Sequence, residues 1–172
     1  MIATIQPAPL SGNISAIASK SDAHRLLILA ALSAGETRLQ MEQRSEDIDA
    51  TIRCLSALGA EIDGSESGVT VRGIERAAEH PLLDCGESGS TFRFLLPVAA
   101  ALCPQAAFTG SGRLPERPIG ELARALQAHG VRFSSERLPF EIEGTLMGGA
   151  FELPGNISSQ YLTGLLLALP LL

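Results

Sequence analysis

The chain has 172 residues, enough for one domain that buries a hydrophobic core without disulfides or metals to hold it together. Apolar residues make up 45% of the sequence and charged residues 19%, a composition typical of a globular α/β protein and not of a disordered chain. The formal net charge of −6 argues against a nucleic-acid partner or an anionic membrane surface, because those partners attract a basic excess.

Three widely spaced cysteines, Cys54, Cys85 and Cys103, form neither a CxxC pair nor a set with histidines at metal-ligand spacing. We interpret them as buried thiols in a reducing compartment, and we expect no metal. The longest uncharged apolar run, 94–103, is shorter than the ~20 residues of a membrane span. No secretory signal pattern is recognisable at the N-terminus. A cytoplasmic protein without a membrane partner is therefore predicted.

The first elements along the chain are a helix, a strand, a helix and a strand pair. The stretch SKSDAHRLLILAAL (19–32) places a polar turn before an aliphatic run, which predicts a helix, and ETRLQ (36–40) predicts a strand. Residues 45–59 predict an amphipathic helix with Ser45 as its N-cap and Gly59 as its stop. Its apolar face consists of Ile48, Ile52, Leu55 and Leu58. The segment AEIDGSESGVTVRG (60–73) predicts a hairpin.

The same order of elements recurs in the middle of the chain. It comprises a polar turn and aliphatic helix, CGESGSTFRFLLPVAAAL (85–102); a strand, QAAFTG (105–110); a helix starting at Pro118 and stopping at Gly130; and a strand pair in 131–144. The segment GNISSQYLTGLLLALPLL (155–172) opens a third unit. Arg25, Arg93 and Tyr161 are in register, since 93 − 25 and 161 − 93 are both 68. This period predicts repeated supersecondary units, of which the third stops inside its first helix.

Three helix starts in three repeats predict an anion site, because the first N–H groups of a helix lack internal partners and carry partial positive charge. The polar groups there are Lys20 and Ser21, the loop GESGST (86–91), and Ser158, Ser159 and Gln160. A helix dipole contributes only about 0.3 to 1 kcal/mol at an exposed site. Nearby cations, namely Lys20, Arg25 and Arg113, are therefore expected to decide the affinity.

Simpler interpretations of the same residues remain open. The serines can be plain N-caps, and Arg25 and Arg93 can pair with acids of neighbouring units. We interpret His24 as a residue of the helix surface and not as a base. The loop 86–91 lacks the GxxxxGK[ST] pattern, which argues against a nucleoside triphosphate site.

Four motifs in this order closely resemble the front part of the 5-enolpyruvylshikimate-3-phosphate (EPSP) synthases. They are SKSDAHRLLILAALSAGETRL (19–39), LDCGESGSTFRFLLPVAAAL (83–102), GSGRLPERPIGEL (110–122) and GNISSQYLTGLLLA (155–168). The resemblance implies an α/β (α+β) protein of two lobes, each built from three βαβαββ units, with the site in the cleft between them. Residues 19–172 would then form one incomplete lobe of the enolpyruvyl transferase fold, with units at 19–83, 84–153 and 154–172. Residues 1–18 would belong to the other lobe.

The activity that the resemblance implies is a step of aromatic amino acid biosynthesis on the route to chorismate. Members of the family transfer the carboxyvinyl group of phosphoenolpyruvate to the 5-hydroxyl of shikimate 3-phosphate and release phosphate, without a metal or an organic cofactor. The acid and base carboxylates would lie outside this chain, so we expect it to be inactive alone. The alternatives are the related transferase acting on UDP-N-acetylglucosamine, which has Lys-Asn in place of Lys20-Ser21, and a non-catalytic phosphate-binding fragment. The family is usually monomeric, but we expect the apolar end of this chain to self-associate.

The resemblance also assigns individual residues. It places Lys20, Ser21, Arg25, Ser158, Ser159 and Gln160 at shikimate 3-phosphate, and Lys20, Gly89, Arg113 and Gln160 at phosphoenolpyruvate. Arg93 is kept as structural. Glu87 stands where the family has an asparagine, and a carboxylate beside a phosphate is unfavourable unless it turns away or pairs with a cation.

Overall fold

Helices and strands alternate throughout the computed structural model, which describes residues 4, 6–9, 11–13, 19–41, 43–65 and 67–172. The α-helices of these residues are α1 (Lys20–Leu32), α2 (Glu46–Leu58), α3 (Gly89–Leu102), α4 (Gly120–Ala128) and α5 (Ser159–Ala168). The strands are β1 (Glu36–Gln40), β2 (Glu61–Ser65), β3 (Gly68–Arg72), β4 (Leu82–Asp84), β5 (Gln105–Thr109), β6 (Arg132–Phe133) and β7 (Phe140–Glu143). Short 3₁₀ turns cover Leu114–Glu116 and Leu169–Leu171. None of the described helices is long and apolar enough to cross a membrane.

Each complete repeat carries its own sheet. The first sheet has the order β1-β3-β2 and is antiparallel. The second has the order β4-β5-β7-β6, in which β4 and β5 are parallel and the other pairs are antiparallel. From β4 to β7 the chain therefore runs βαβαββ, which confirms the predicted fold class. The predicted place of residues 1–18 in another lobe stays a prediction, since most of that segment lies outside the described residues.

Local signals set the limits of α2 as predicted. The Ser45 hydroxyl accepts a hydrogen bond from the Ile48 amide at 3.4 Å, and three acids occupy the first turn, where the helix dipole favours them. Gly59 ends the helix at φ 117°, a conformation that favours glycine, and a Cβ there would lie 2.7 Å from the Arg76 carbonyl oxygen.

The sequence prediction missed one strand and misplaced the start of one helix. Strand β4 was missed, because three residues are too short for a period-two pattern to show. Helix α4 begins at Gly120 and not at Pro118. The Pro118 carbonyl instead accepts a hydrogen bond from the Tyr161 hydroxyl at 2.8 Å, which fixes the entry to α4 against α5.

The central layer of the molecule is α3, whose side chains are mostly buried between α2 and α5. Gly164 lets α5 approach α3 closely, because a Cβ at this position would collide with the Arg93 carbonyl oxygen and with Pro97. This close packing places the start of α5 beside the start of α3, where the predicted site residues lie.

Candidate functional site

The start of α1 presents an ammonium group to solvent. Ser19 caps the helix, and the Lys20 Nζ atom lies 2.7 Å from the Asp47 Oδ2 atom at the start of α2. The Lys20 side chain is 53% exposed, so its ammonium keeps donors for a ligand beside the ion pair. Ser21 is exposed, and its carbonyl accepts a hydrogen bond from Arg25 Nη1 at 2.8 Å.

Two guanidinium groups converge on the start of α3. The Ser88 hydroxyl caps this helix by accepting from the Thr91 amide at 3.2 Å, and Gly89 is the first helical residue. A Cβ at Gly89 would lie 2.7 Å from the Nη1 atoms of both Arg93 and Arg117. Within the described part of the chain, neither guanidinium forms an ion pair with a carboxylate. Their charges are therefore available to an anion at this helix start.

Arg117 is a candidate site residue that the sequence did not single out. Arg113, which was predicted instead, is exposed and precedes the 3₁₀ turn Leu114–Glu116. The three residues of this turn separate the two arginines, and it is the later one that reaches Gly89. Both arginines belong to the motif GSGRLPERPIGEL, so the sequence located the segment but could not select between them.

The amide of Gln160 joins the starts of α3 and α5. Its Oε1 atom accepts from Arg93 Nη1 at 2.9 Å, and its Nε2 atom donates to the Ser90 hydroxyl at 2.9 Å. The Ser158 hydroxyl caps α5 by accepting from the Gln160 amide nitrogen at 3.2 Å, and the neighbouring Ser159 is exposed. Arg93, expected to be structural, is thus both a packing residue and part of the site wall.

The Glu87 carboxylate lies against Gly112, where it occupies the space that a side chain at that glycine would need. Gly112 has φ 55°, so glycine is favoured there for the backbone as well. Glu87 also lines a cleft of about 420 Å³. The other lining residues are Glu46, Asp47, Asp49, Arg53, Asp84, Gly86 and Ser111. The carboxylate is turned toward the Gly112 segment. Turning away in this manner is one of the two arrangements in which it is compatible with a nearby phosphate, the other being a pair with a cation.

His24 is fully buried, which corrects its assignment to the helix surface. Its Nδ1 atom lies 2.7 Å from the Thr51 hydroxyl oxygen of α2, while its Nε2 atom has no hydrogen-bond partner among the described residues. Burial lowers the pKa of the imidazole to about 4, so the ring is neutral at pH 7.

The three cysteines are buried free thiols, as predicted. A hydrogen bond with Cys54, together with burial, raises the pKa of the Cys85 thiol well above its ordinary value. Burial raises the pKa of Cys103 to about 11. Among the described residues no group of three histidines, cysteines or carboxylates is placed to hold a metal ion.

Known proteins are similar to this chain in sequence and in fold. The sequence matches the family described as EPSP synthase (3-phosphoshikimate 1-carboxyvinyltransferase) over residues 5–172. It is 39% identical over 172 residues to the 3-phosphoshikimate 1-carboxyvinyltransferase of Clostridium kluyveri, and 41% identical over 178 residues to that of Clostridium beijerinckii. These alignments cover 98% of this chain but only 40% and 41% of the two relatives. The chain therefore spans about two fifths of the length of the curated relatives it matches.

Solved structures agree with the sequence matches. An EPSP synthase from Acinetobacter baumannii superposes with a TM-score of 0.78 at 27% identity, covering 91% of this chain and 37% of that one. The enolpyruvyl transferase NikO from Streptomyces tendae superposes with a TM-score of 0.56 at 16% identity over 86% of this chain and 35% of that one, a likeness of fold alone. The family model matches nearly all residues of the chain, and this match leads to one conclusion: the chain belongs to the EPSP synthase family.

Proposed function

We propose that the protein carrying this chain transfers the carboxyvinyl group of phosphoenolpyruvate to the 5-hydroxyl of shikimate 3-phosphate and releases phosphate. The observation that carries the proposal is the convergence of Arg93 and Arg117 on the start of α3 without a described carboxylate partner. Both substrates are phosphate and carboxylate anions. A site that gathers them needs cations and helix starts held in place before any proton moves.

The shikimate 3-phosphate side of the site is proposed at the starts of α1 and α5. Its residues are Lys20, Ser21, Arg25, Ser158, Ser159 and Gln160. The exposed Lys20 ammonium supports this placement, as does the Arg25 guanidinium, which the Ser21 carbonyl and the Phe94 ring hold against α1. Ser159 keeps an exposed hydroxyl one residue after the N-cap, where a phosphate can also accept from backbone N–H groups.

The phosphoenolpyruvate side is proposed at Lys20, Gly89 and Gln160 with an arginine from the segment 110–122. The geometry favours Arg117 over the originally assigned Arg113, because its guanidinium already reaches Gly89. Gly89 has no side chain, so an anion there can approach the α3 N–H groups directly. Replacing Arg117 by alanine should therefore weaken phosphoenolpyruvate binding more than replacing Arg113.

This chain supplies binding groups, and we propose that it does not turn over by itself. Asp47, the carboxylate closest to the Lys20 ammonium, is held in an ion pair and is poorly placed to act as a free acid or base. The chain also spans only 40% of the Clostridium kluyveri relative. We propose no metal and no organic cofactor. The proposed ligands of the chain are the two small substrate anions, and its proposed location is the cytoplasm.

Calorimetric titration of shikimate 3-phosphate into the chain at low salt tests the proposal. We expect saturable binding that weakens about tenfold or more in both Lys20→Ala and Ser159→Ala, because charge-assisted hydrogen bonds contribute about 1.5 to 3 kcal/mol. Glu79→Ala, a change at an exposed carboxylate that pairs with the exposed Arg76, is the control. Equal binding by all variants would remove the support for this site.

Two further titrations and an assay for phosphate release separate the alternatives. Binding of UDP-N-acetylglucosamine in place of shikimate 3-phosphate would favour the related enolpyruvyl transferase. Phosphate released from the two substrates by the chain alone would contradict its proposed inactivity. Binding of inorganic phosphate without preference for shikimate 3-phosphate would favour a simple phosphate-binding fragment.

A further inference from the structure

All four polar side chains that are fully buried in the described residues belong to one hydrogen-bonded chain. They are His24 of α1, Thr51 of α2, and Ser88 and Thr91 at the start of α3, each 0% exposed. The resemblance assigns none of them a role, and a buried polar group is costly unless it is paired. Four of them in sequence therefore indicate a specific structural or functional requirement.

The atoms form a continuous path across three helices. His24 Nδ1 lies 2.7 Å from the Thr51 hydroxyl oxygen, which lies 2.6 Å from the Thr91 hydroxyl oxygen. The Thr91 hydroxyl lies 2.7 Å from the Ser88 hydroxyl oxygen, the N-cap of α3. Buried hydrogen-bonded networks of this kind restrict how the helices that carry them can move relative to one another.

The path also contacts the backbone carbonyl of Asp47. The Thr51 and Thr91 hydroxyl oxygens lie 3.3 Å and 3.2 Å from the Asp47 carbonyl oxygen, so a hydroxyl of α2 and one of α3 meet at one carbonyl. One of them donates its single proton to this carbonyl while the other donates along the path. The side chain of the same residue forms the 2.7 Å ion pair with Lys20. A shift of α2 relative to α3 would therefore move the partner of Lys20 away from the α3 start.

We propose that the chain His24–Thr51–Thr91–Ser88 is a positioning device, which fixes the Lys20–Asp47 pair relative to the start of α3. The inference rests on the proposed function, since Lys20 and Gly89 are proposed there to bind substrate. Through Asp47 the device sets where the Lys20 ammonium stands. Through Ser88 it sets where the N–H groups after Gly89 point. None of its four members contacts the anion, so they are positioning residues and not catalytic ones.

The first arm of the test measures coupling to Lys20 by a double-mutant cycle. We expect Lys20→Ala to weaken shikimate 3-phosphate binding about tenfold in the wild-type background and less than about threefold in the Thr51→Val background. Thr51→Val removes the hydroxyl and nearly preserves the volume. Thr51→Ser, which keeps the hydroxyl, should restore the full effect of Lys20→Ala. Thr70→Val in β3 is the matched control and should leave the effect unchanged.

The second arm needs no ligand and follows amide hydrogen exchange at the helix starts. In α3, the Thr91 amide donates to the Ser88 hydroxyl and the Phe92 amide donates to the Ser88 carbonyl. We expect Thr51→Val, although it lies in α2, to speed the exchange of both amides about tenfold, and Thr51→Ser to restore protection. A purely local effect would speed exchange only within α2.

The two experiments distinguish the proposed function from the proposed positioning device. If the chain does not bind shikimate 3-phosphate but exchange is coupled across the helices, the proposed function loses its support while the positioning device stands. If the chain binds and Lys20→Ala costs the same factor in both backgrounds, the device is overturned and the proposed function stands. Exchange changes confined to α2 overturn the device as well.

Discussion

The guanidinium carbon of Arg25 lies 5.1 Å from the centroid of the Phe94 ring. The same contact recurs one repeat later, where the guanidinium carbon of Arg93 lies 5.9 Å from the centroid of the Tyr161 ring. In each case the arginine of one unit packs on an aromatic ring in the long helix of the next unit, although Phe94 lies one residue beyond the register position that Tyr161 occupies. The two cation–π contacts hold consecutive helices together and leave the guanidinium charge partly open.

Arg25→Lys should weaken shikimate 3-phosphate binding about tenfold while reducing the free energy of unfolding by about 1 kcal/mol or less. Lysine keeps the positive charge but loses the planar fork that spans the ring and the Ser21 carbonyl. Titration calorimetry and urea unfolding measure the two quantities. Arg76→Lys, at an exposed arginine outside the site, is the control. An unchanged affinity in Arg25→Lys would show that charge alone matters at this position.

Stability should fall between pH 6.5 and pH 4 because of His24. The unfolded chain takes up a proton on this histidine below about pH 6.5, whereas the folded chain does not until about pH 4, so acid favours unfolding. Above pH 6.5 the histidine is neutral in both states and costs no stability, whereas the loss of stability reaches about 3 kcal/mol by pH 4. Asp47, Lys20 and Arg25 are the charged groups that act on the imidazole, the first raising its pKa and the other two lowering it.

Urea unfolding at pH 7 and pH 4.5 in the wild type and in His24→Asn measures this contribution. Carboxylates titrate over the same range in both proteins, and the difference between the two isolates the imidazole. We expect a smaller loss of stability in His24→Asn. Identical losses would mean that the folded chain protonates His24 as readily as the unfolded chain does.

The contrast between α2 and α1 shows which features the sequence can predict. The limits of α2 follow from Ser45, Gly59 and the acids of its first turn, all of which act within one helical turn. The orientation of α1 does not follow from its own residues: Leu26 and Leu29 are each 49% exposed while His24 is fully buried. That outcome depends on Thr51, 27 residues away, whose hydroxyl gives the imidazole a buried partner. Local pattern placed the starts of α1 and α2 correctly. The start of α4 at Gly120, and the approach of Arg117 and not Arg113 to Gly89, depend on tertiary contacts.

The three cysteines should resist modification in the folded chain. All are buried, and the raised pKa values of Cys85 and Cys103 leave almost no thiolate at pH 7. A disulfide-exchange reagent such as Ellman's should label none of them within minutes in native buffer and three per chain in concentrated urea. Rapid labelling of one thiol in native buffer would contradict the buried position of that residue.

Gly89→Ala should weaken phosphate binding while leaving stability almost unchanged. The added Cβ would displace the Nη1 atoms of Arg93 and Arg117, which lie 2.7 Å from its position. Those atoms end flexible side chains, so the backbone need not move, and alanine is the better helix former by about 1 kcal/mol. We expect about a tenfold loss of affinity for inorganic phosphate by calorimetry. Gly120→Ala, at a helix start with open space around it, is the matched control. Equal phosphate affinity in the two variants would show that neither guanidinium contributes.

The isolated chain should self-associate through the exposed face of α5. Leu166 is 72% exposed and Leu162 is 43% exposed, and their apolar surfaces lie one turn apart on the same helix. Light scattering should give a mass above 18.0 kDa that rises with concentration. Leu166→Lys should return the mass to that of a monomer, because a charge at the contact must be desolvated for association. Met147→Lys, at an apolar residue that is 57% exposed elsewhere on the surface, should not. A wild-type chain that stays monomeric at high concentration would contradict the prediction, and a monomeric Met147→Lys would move the contact away from α5.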